Sequence, residues 1–314
     1  YWLDKGLQTV RLEDKAEAVA SELDQAGLFF GHGTDNAFDE AVWLVLEAAG
    51  LDPSGDEVPW QTMLSADQCQ AVDTLLPRRI KTHQPLAYLV NRAWFGGRDF
   101  FIDSRAIVPR SHIGEWIVER FTPWRVDRPV DAILDLCTGS GCIAVSLALA
   151  FPEAKVDASD ISAAALEVAE QPVACGHVAA INVDRHAVGD RVRLVQGDLF
   201  SSLEGQRYDL IVCNPPYVSD SLMRTLPHEY NHEPTLAFAG GDGGLDFITP
   251  LLYQARAYLC DDGLLVVEAG SARDALEAAW PQVPFTWLMS MNDDAVVFVV
   301  NAQELEALMG QAEQ

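Results

Sequence analysis

Asn214, Pro215, Pro216 and Tyr217 follow directly on the apolar run 210–213, Leu-Ile-Val-Cys. The amide oxygen of Asn214 and the backbone carbonyl of Pro215 are two acceptors, each able to take one N–H from a planar amino or amide group. A nitrogen conjugated to a π system is a poor nucleophile, because its lone pair is delocalised. Two fixed acceptors aim such a nitrogen and stabilise the positive charge it gains on attacking an electrophile. The two prolines hold the carbonyl in place, since each ring locks φ. Tyr217 adds a ring face suited to packing near a cation or the target group. Prolines are also ordinary punctuation at the end of a strand, so the motif gains its weight from what lies beside it.

A second constellation follows an apolar run at 131–136, in the stretch AILDLCTGSGCIAVSLA. Gly139, Gly141 and Ala144 fit G-x-G-x-x-A, in which the glycines let the backbone approach a ligand that faces a helix amino terminus. Asp160 ends the next strand-like run, about twenty residues on, where a carboxylate can bond a ribose hydroxyl pair. NAD and S-adenosylmethionine satisfy these two features equally. Asp135 favours the second, because it could receive a cationic methionine end and would repel a pyrophosphate. Asp198, in GDLF after the third strand, could accept from an adenine amino group. From the residues alone, the candidate cofactor positions are Asp135, Gly139, Gly141, Asp160 and Asp198. Singly, Asp160 or Asp198 reads as a cap or turn residue; at successive strand ends the pair reads as a site.

The elements that must position these residues are legible from periodicity. Helical spacing appears over 10–26, ending at Gly27, over 37–49 with Asp35 as N-cap and Gly50 as terminator, and over 65–83. Residues 94–108, with aromatics flanking Gly96-Gly97, predict a β-hairpin. Beyond them strands are expected near 131–136, 154–159, 191–196, 208–213, 263–269, 284–289 and 295–300. Helices are expected near 112–121, 141–151, 162–170, 246–260 and 271–280. This alternation predicts an α/β fold: a doubly wound, Rossmann-like, mostly parallel sheet with an antiparallel edge, preceded by a small helical domain. The expected domains are 1–90, helical and recognising substrate; 91–111, a hairpin linker; and 112–314, catalytic.

Composition sets outer bounds. A chain of 314 residues, 49% of them hydrophobic, is long enough for one large domain and a smaller one. Its net charge of −26 repels phosphate backbones and argues against stable nucleic-acid binding, while it suits a basic protein partner. No apolar run approaches the roughly 18 residues of a membrane span, and no secretory pattern opens the chain, so a cytoplasmic location is expected. A start at Tyr1 rather than Met suggests a short leader that is trimmed or disordered. None of the six cysteines forms a CxxC pair and no Cys/His cluster has zinc spacing, so reduced thiols and no metal are expected.

The block DLCTGSG, DIS, GDLF and YDLIVCNPPYV resembles the S-adenosylmethionine-dependent glutamine-N5 methyltransferases that modify components of protein synthesis. PLAYLVNRAWFGGRDFFID, VPRSHIGE and HEPTLAFAGGDGGLDF resemble the same family, over roughly residues 5 to 302. Two branches are alike, one acting on release factors and one on ribosomal protein L3 of the large subunit. FGHGTDNAFDEAVWLVLEAAGL and VPRSHIGE resemble the ribosomal-protein branch, which implies a strongly basic substrate. The resemblance implies that Asn214 and Pro215 bind the substrate amide and that Pro216 and Tyr217 shape its pocket. It implies a cofactor set of Asp135, Cys137, Thr138, Gly139, Ser140, Gly141, Asp160, Asp198 and Leu199, with Asn214 also touching the cofactor. It also implies that Arg110, Glu115, Glu233 and Pro234 support or border the site. The segment near Glu170 to Ala179, EQPVACGHVA, departs from the family as an insertion of about ten residues, with Pro172 and Gly176 breaking a helix.

Competing readings remain at this stage. An amino-methyltransferase of nucleic-acid bases would use the same Asn-Pro-Pro-aromatic geometry, but the acidic charge and the absence of a basic recognition segment oppose it. A non-catalytic module binding a ribosomal protein would not need Asn214. An NAD-dependent oxidoreductase lacks any acid or base placed for hydride transfer.

Overall fold

The computed structural model describes residues 9–54, 57–124, 128–166, 178–291 and 294–306. Its chain divides into two units: Tyr1–Asp99 with Pro227–His232, and Phe100–Leu226 with Glu233–Gln314.

In the first unit a short strand β1 (Val10–Arg11) leads into α1 (Leu12–Gln25), followed by α2 (Ala37–Ala48). Strand β2 (Met63–Leu64) pairs antiparallel with β1, and α3 (Ala66–Thr82) and α4 (Leu86–Val90) complete the helices. Leu12, Ala16, Val19 and Leu23 put one apolar stripe of α1 into the core. Asn36, not Asp35, caps α2: its side chain accepts from Asp39 N at 2.9 Å, the third-residue amide that a cap must satisfy. Ser65 and Gln68 form a reciprocal capping box at the start of α3. Arg79 is fully buried between Glu40 at 2.7 Å and Glu229 at 3.5 Å, so the segment Pro227–His232 supplies part of this unit's interior charge. The hairpin β3 (Ala93–Phe95) and β4 (Arg98–Phe100) turns at Gly96 and Gly97, both at positive φ as the sequence requires.

The second unit begins its regular structure with α5 (Ile113–Val118), which stops short of 121 because Arg120 and Phe121 are left-handed at φ 50° and 57°. Alternation then runs through β5 (Ala132–Leu136), α6 (Cys142–Ala150), β6 (Lys155–Asp160), α7 (Ala163–Leu166), α8 (Val178–Arg185), β7 (Val192–Gln196) and β8 (Tyr208–Cys213). It closes with α9 (Asp220–Met223), α10 (Ile248–Ala255), β9 (Leu259–Glu268), α11 (Arg273–Ala279), β10 (Thr286–Leu288) and β11 (Val297–Asn301). Sheet order is β10-β11-β9-β8-β5-β6-β7, parallel from β9 to β7 and antiparallel at the β10/β11 end. The doubly wound expectation, antiparallel edge included, is therefore met.

Strands buried on both faces explain the continuous apolar runs: Ile133, Leu134, Leu210, Ile211, Leu265 and Val266 are all fully buried. Besides the shortened α5 and the unpredicted β1, β2, α4 and α9, further elements differ from expectation. Strand β9 starts at Leu259, because Tyr208 pairs with Leu259 before a register shift re-aligns the strands at Leu210 and Leu264, and this shortens α10. Helix α8 was not expected; its Val178, Ala179, Asn182 and Val183 form a buried stripe. The residues 167–177, with Pro172, Gly176 and most of the proposed insertion, lie outside the described residues, as does Cys175.

Candidate functional site

Strand order reverses between β5 and β8, and a doubly wound sheet opens its ligand crevice at the carboxyl ends beside such a point. Register places the candidate residues there. Leu136 lies opposite both Ser159 and Cys213, so the glycine loop, Asp160 and Asn214 leave three neighbouring strands at one level. Asp160 pairs with Gln196, which sets Asp198 just beyond the next strand end.

The glycine loop is tied down on both sides. Thr138 donates through Oγ1 to Asp135 Oδ2 at 2.5 Å, and its backbone N–H donates to Ser159 O at 3.0 Å. Gly139 N donates to Asp160 Oδ2 at 2.9 Å and Ser162 N to Asp160 Oδ1 at 2.8 Å. Asp160 therefore braces the loop as well as facing the site; burial raises its pKa, and the N–H donors of Ser162 and Gly139 oppose the rise. Gly141, at φ 78°, begins α6 where an added Cβ would sit 3.3 Å from both Cα and Cβ of Ala179. Cys137 and Leu199 are non-glycine residues in left-handed backbone, at φ 59° and 48°, each in the loop after its strand. Such strain concentrates at functional loops.

Asp135 is fully buried, and among the described residues its Oδ1 makes no hydrogen bond of normal geometry. Burial pushes its pKa up to about 7, with the Thr138 hydroxyl and, more weakly, the Ala144 N–H pulling the other way. An uncompensated buried carboxyl oxygen is costly and is suited to a cationic or N–H-bearing ligand. The Asp198 side chain is exposed at the outer end of the same crevice.

At the end of β8, Pro215 is buried while Asn214, Pro216 and Tyr217 are half-buried. Among the described residues no hydrogen bond engages the Asn214 carboxamide, so both its ends are open to a ligand. Beyond the prolines, Val218 N donates to Phe238 O and Gly240 N to Val218 O, each at 2.9 Å, which lays the segment 238–240 alongside the motif.

Arg110 and Glu233 are brought together as a two-pronged pair, and Glu233 also accepts from Val108 N at 2.8 Å. Glu115 goes elsewhere, accepting from Met291 N at 2.8 Å, and Pro234 caps the short turn Thr235–Ala237. Two further residues escaped the sequence reading. Asn182 is fully buried and donates to Ser140 O at 2.8 Å and Phe101 O at 2.9 Å while accepting from Phe101 N at 2.7 Å. Glu268 ends β9 and accepts the Tyr217 hydroxyl at 2.9 Å. The rule that found Asp160, an acid closing an apolar strand, would have found Glu268 in LLVVE.

A family model described as the methyltransferase small domain matches residues 125–228, from before the glycine loop to beyond Tyr217. A ribosomal protein uL3 glutamine methyltransferase of Neisseria meningitidis is 44% identical over 302 residues, 95% of this chain and 95% of that protein. A protein of the same name from Burkholderia pseudomallei is 43% identical over 311 residues, 96% of this chain and 97% of its own. Among solved structures, a methyltransferase from Pyrococcus furiosus is 18% identical with a TM-score of 0.42, covering 66% of this chain and 89% of that one.

Proposed function

We propose, for a chain that belongs to the ribosomal protein uL3 glutamine methyltransferase family, the reaction its relatives are named for. A methyl group passes from S-adenosylmethionine to the side-chain amide nitrogen, N5, of a glutamine in ribosomal protein uL3. The observation that carries this reading is the open Asn214 carboxamide beside the buried Pro215, one strand from a glycine loop with an unsatisfied acid.

The residues present fit this cofactor. Among the described residues Asp135 Oδ1 is a buried acceptor with no hydrogen bond of normal geometry, suited to the ammonium of the methionine end. The loop Cys137, Thr138, Gly139, Ser140 and Gly141 offers backbone to the methionine portion, Asp160 suits the ribose hydroxyls, and Asp198 with Leu199 suits the adenine. When bound, S-adenosylmethionine supplies an electrophilic methyl group on a sulfonium.

The chain's own residues then act on the glutamine. Asn214 Oδ1 and the Pro215 carbonyl accept the two N–H groups of the amide, which aims its nitrogen for in-line attack and stabilises the charge that develops on it. Pro216 keeps the Pro215 carbonyl from turning, and Tyr217 walls the pocket. No strong base is required, because the methylated nitrogen, once cationic, is a strong acid and loses its extra proton readily.

The substrate's basic character accords with a chain of net charge −26, and we assign its recognition to the helical domain 1–90, joined by the linker 91–111 to the catalytic domain 112–314. We place the reaction in the cytoplasm, without stable nucleic-acid binding; no described helix is long and apolar enough to cross a membrane. Labelled S-adenosylmethionine offered with uL3, with release factor and with DNA tests the reading. Label is expected on a uL3 glutamine. Label on release factor alone would reassign the substrate, and label on DNA would replace the reaction.

A further inference from the structure

Glu268 lies at the carboxyl end of β9, the strand beside β8, where Cys213 pairs with Val267. It is only 3% exposed. One oxygen, Oε1, accepts the Tyr217 hydroxyl at 2.9 Å. The other, Oε2, accepts the Ser111 hydroxyl at 2.6 Å and the His112 N–H at 3.0 Å. Ser111 Oγ in turn accepts from Ile113 N at 3.2 Å, so it is oriented before it donates. A carboxylate taking one donor on one side and two on the other is fixed in plane and angle.

Glycines pack against Tyr217 as well, Gly270 against its ring and Gly240 and Gly244 against its backbone. A Cβ on Gly270 would lie 2.2 Å from Tyr217 Cε2 and 2.5 Å from its Cζ. A Cβ on Gly244 would lie 2.2 Å from the Tyr217 carbonyl oxygen, and one on Gly240 would lie 2.8 Å from its carbonyl carbon. Two chain segments, 240–244 and the one at Gly270, thus give up side chains to admit this one residue, and Glu268 anchors its far end.

From this we infer that Glu268 is a positioning residue for methyl transfer: it holds the Tyr217 ring in one orientation, and so fixes the wall against which the substrate amide is aligned. The inference rests on the proposed reaction. Packing at Gly270 bounds the half-buried Tyr217 ring on one side, and any torsional freedom left about its Cα–Cβ bond would leave the amide aligned only part of the time. A hydroxyl bond to a buried, pre-oriented carboxylate removes that freedom before substrate arrives, so its benefit falls on the chemical step rather than on binding.

The test uses the full chain, labelled S-adenosylmethionine and uL3, with kcat, KM and the cofactor Kd measured for Tyr217→Phe, Glu268→Gln and the double variant. Each single change is expected to lower kcat about tenfold, the scale of one charge-assisted hydrogen bond. KM and the cofactor Kd should stay within about twofold, and the double variant should lose no more than either single one. Wild-type kcat in Tyr217→Phe, or losses that multiply in the double variant, would overturn the inference. Should Glu268→Gln misfold, Ser111→Ala replaces it, removing one donor to Glu268 without touching Tyr217. It should lower kcat in the wild-type background and leave it unchanged in the Tyr217→Phe background; equal loss in both overturns the inference. A wild-type chain that methylates nothing refutes the proposed reaction itself, whereas active wild type with uncoupled variants refutes only the role of Glu268.

Discussion

Arg110 meets Glu233 side-on across 123 residues of chain, Nη1 to Oε1 at 2.9 Å and Nη2 to Oε2 at 2.8 Å. The Glu233 side chain is wholly buried and that of Arg110 is 23% exposed. Removing the cation strands a buried carboxylate, which costs far more than a surface pair is worth. Arg110→Ala should therefore lower stability by about 3 kcal/mol, read from urea unfolding followed by tryptophan fluorescence. Arg110→Lys should recover only part of it, since an ammonium cannot make two parallel bonds. A stability change within error in both variants would remove the pair from the account of this fold.

Gly243 and Gly244 are both left-handed, at φ 89° and 81°, but only Gly244 has a close neighbour, the Tyr217 carbonyl oxygen. Alanine at 243 should cost only backbone strain, about 1 kcal/mol, with activity retained. Alanine at 244 must push Tyr217 aside and should abolish most methyl transfer. Equal activity in the two variants would mean that the slot around Tyr217 adapts freely.

In the proposed mechanism, Asn214→Ala removes one of the two acceptors for the substrate amide. Loss of about 2–4 kcal/mol of transition-state stabilisation is expected, by comparison with other pre-organised hydrogen-bonding groups. Cofactor affinity, measured calorimetrically, should change far less than kcat. An active Asn214→Ala enzyme would sink the amide-clamp mechanism.

Burial sets a pH dependence through Asp135, whose folded pKa of about 7 stands above its ordinary 3.8. Between those values the unfolded chain has released a proton that the folded chain keeps. The ligand-free protein is thus favoured by this group at low pH and loses that contribution as pH rises towards about 7. An ammonium ligand selects the charged form, so affinity for S-adenosylhomocysteine should rise with pH up to about 7 and then level off. Asp135→Asn should bind weakly and without that rise; titrations from about pH 5 to about pH 8 decide it. A flat profile in the wild type would place the cofactor's ammonium elsewhere.

Much of this protein is legible in its sequence. Period-two and period-3.6 patterning, Gly27, Gly50 and the Gly96-Gly97 turn determine the elements by local sterics, and alternation of strand and helix determines the sheet class. The glycine loop and the Asn214-Pro215-Pro216-Tyr217 run announce their chemistry because each depends on neighbours a few residues away. What lies far apart in sequence was decided only by tertiary structure. The cap of α2 is local, yet only the folded backbone decides that the oxygen of Asn36 rather than Asp35 reaches Asp39 N. Asn182 grips the Ser140 carbonyl, Arg110 finds Glu233, and Glu268 takes Tyr217 and Ser111 at once. A hydrogen bond between residues 51 or 157 apart leaves no periodicity to read. Only strand register and burial bring such groups together, and only burial makes them need each other.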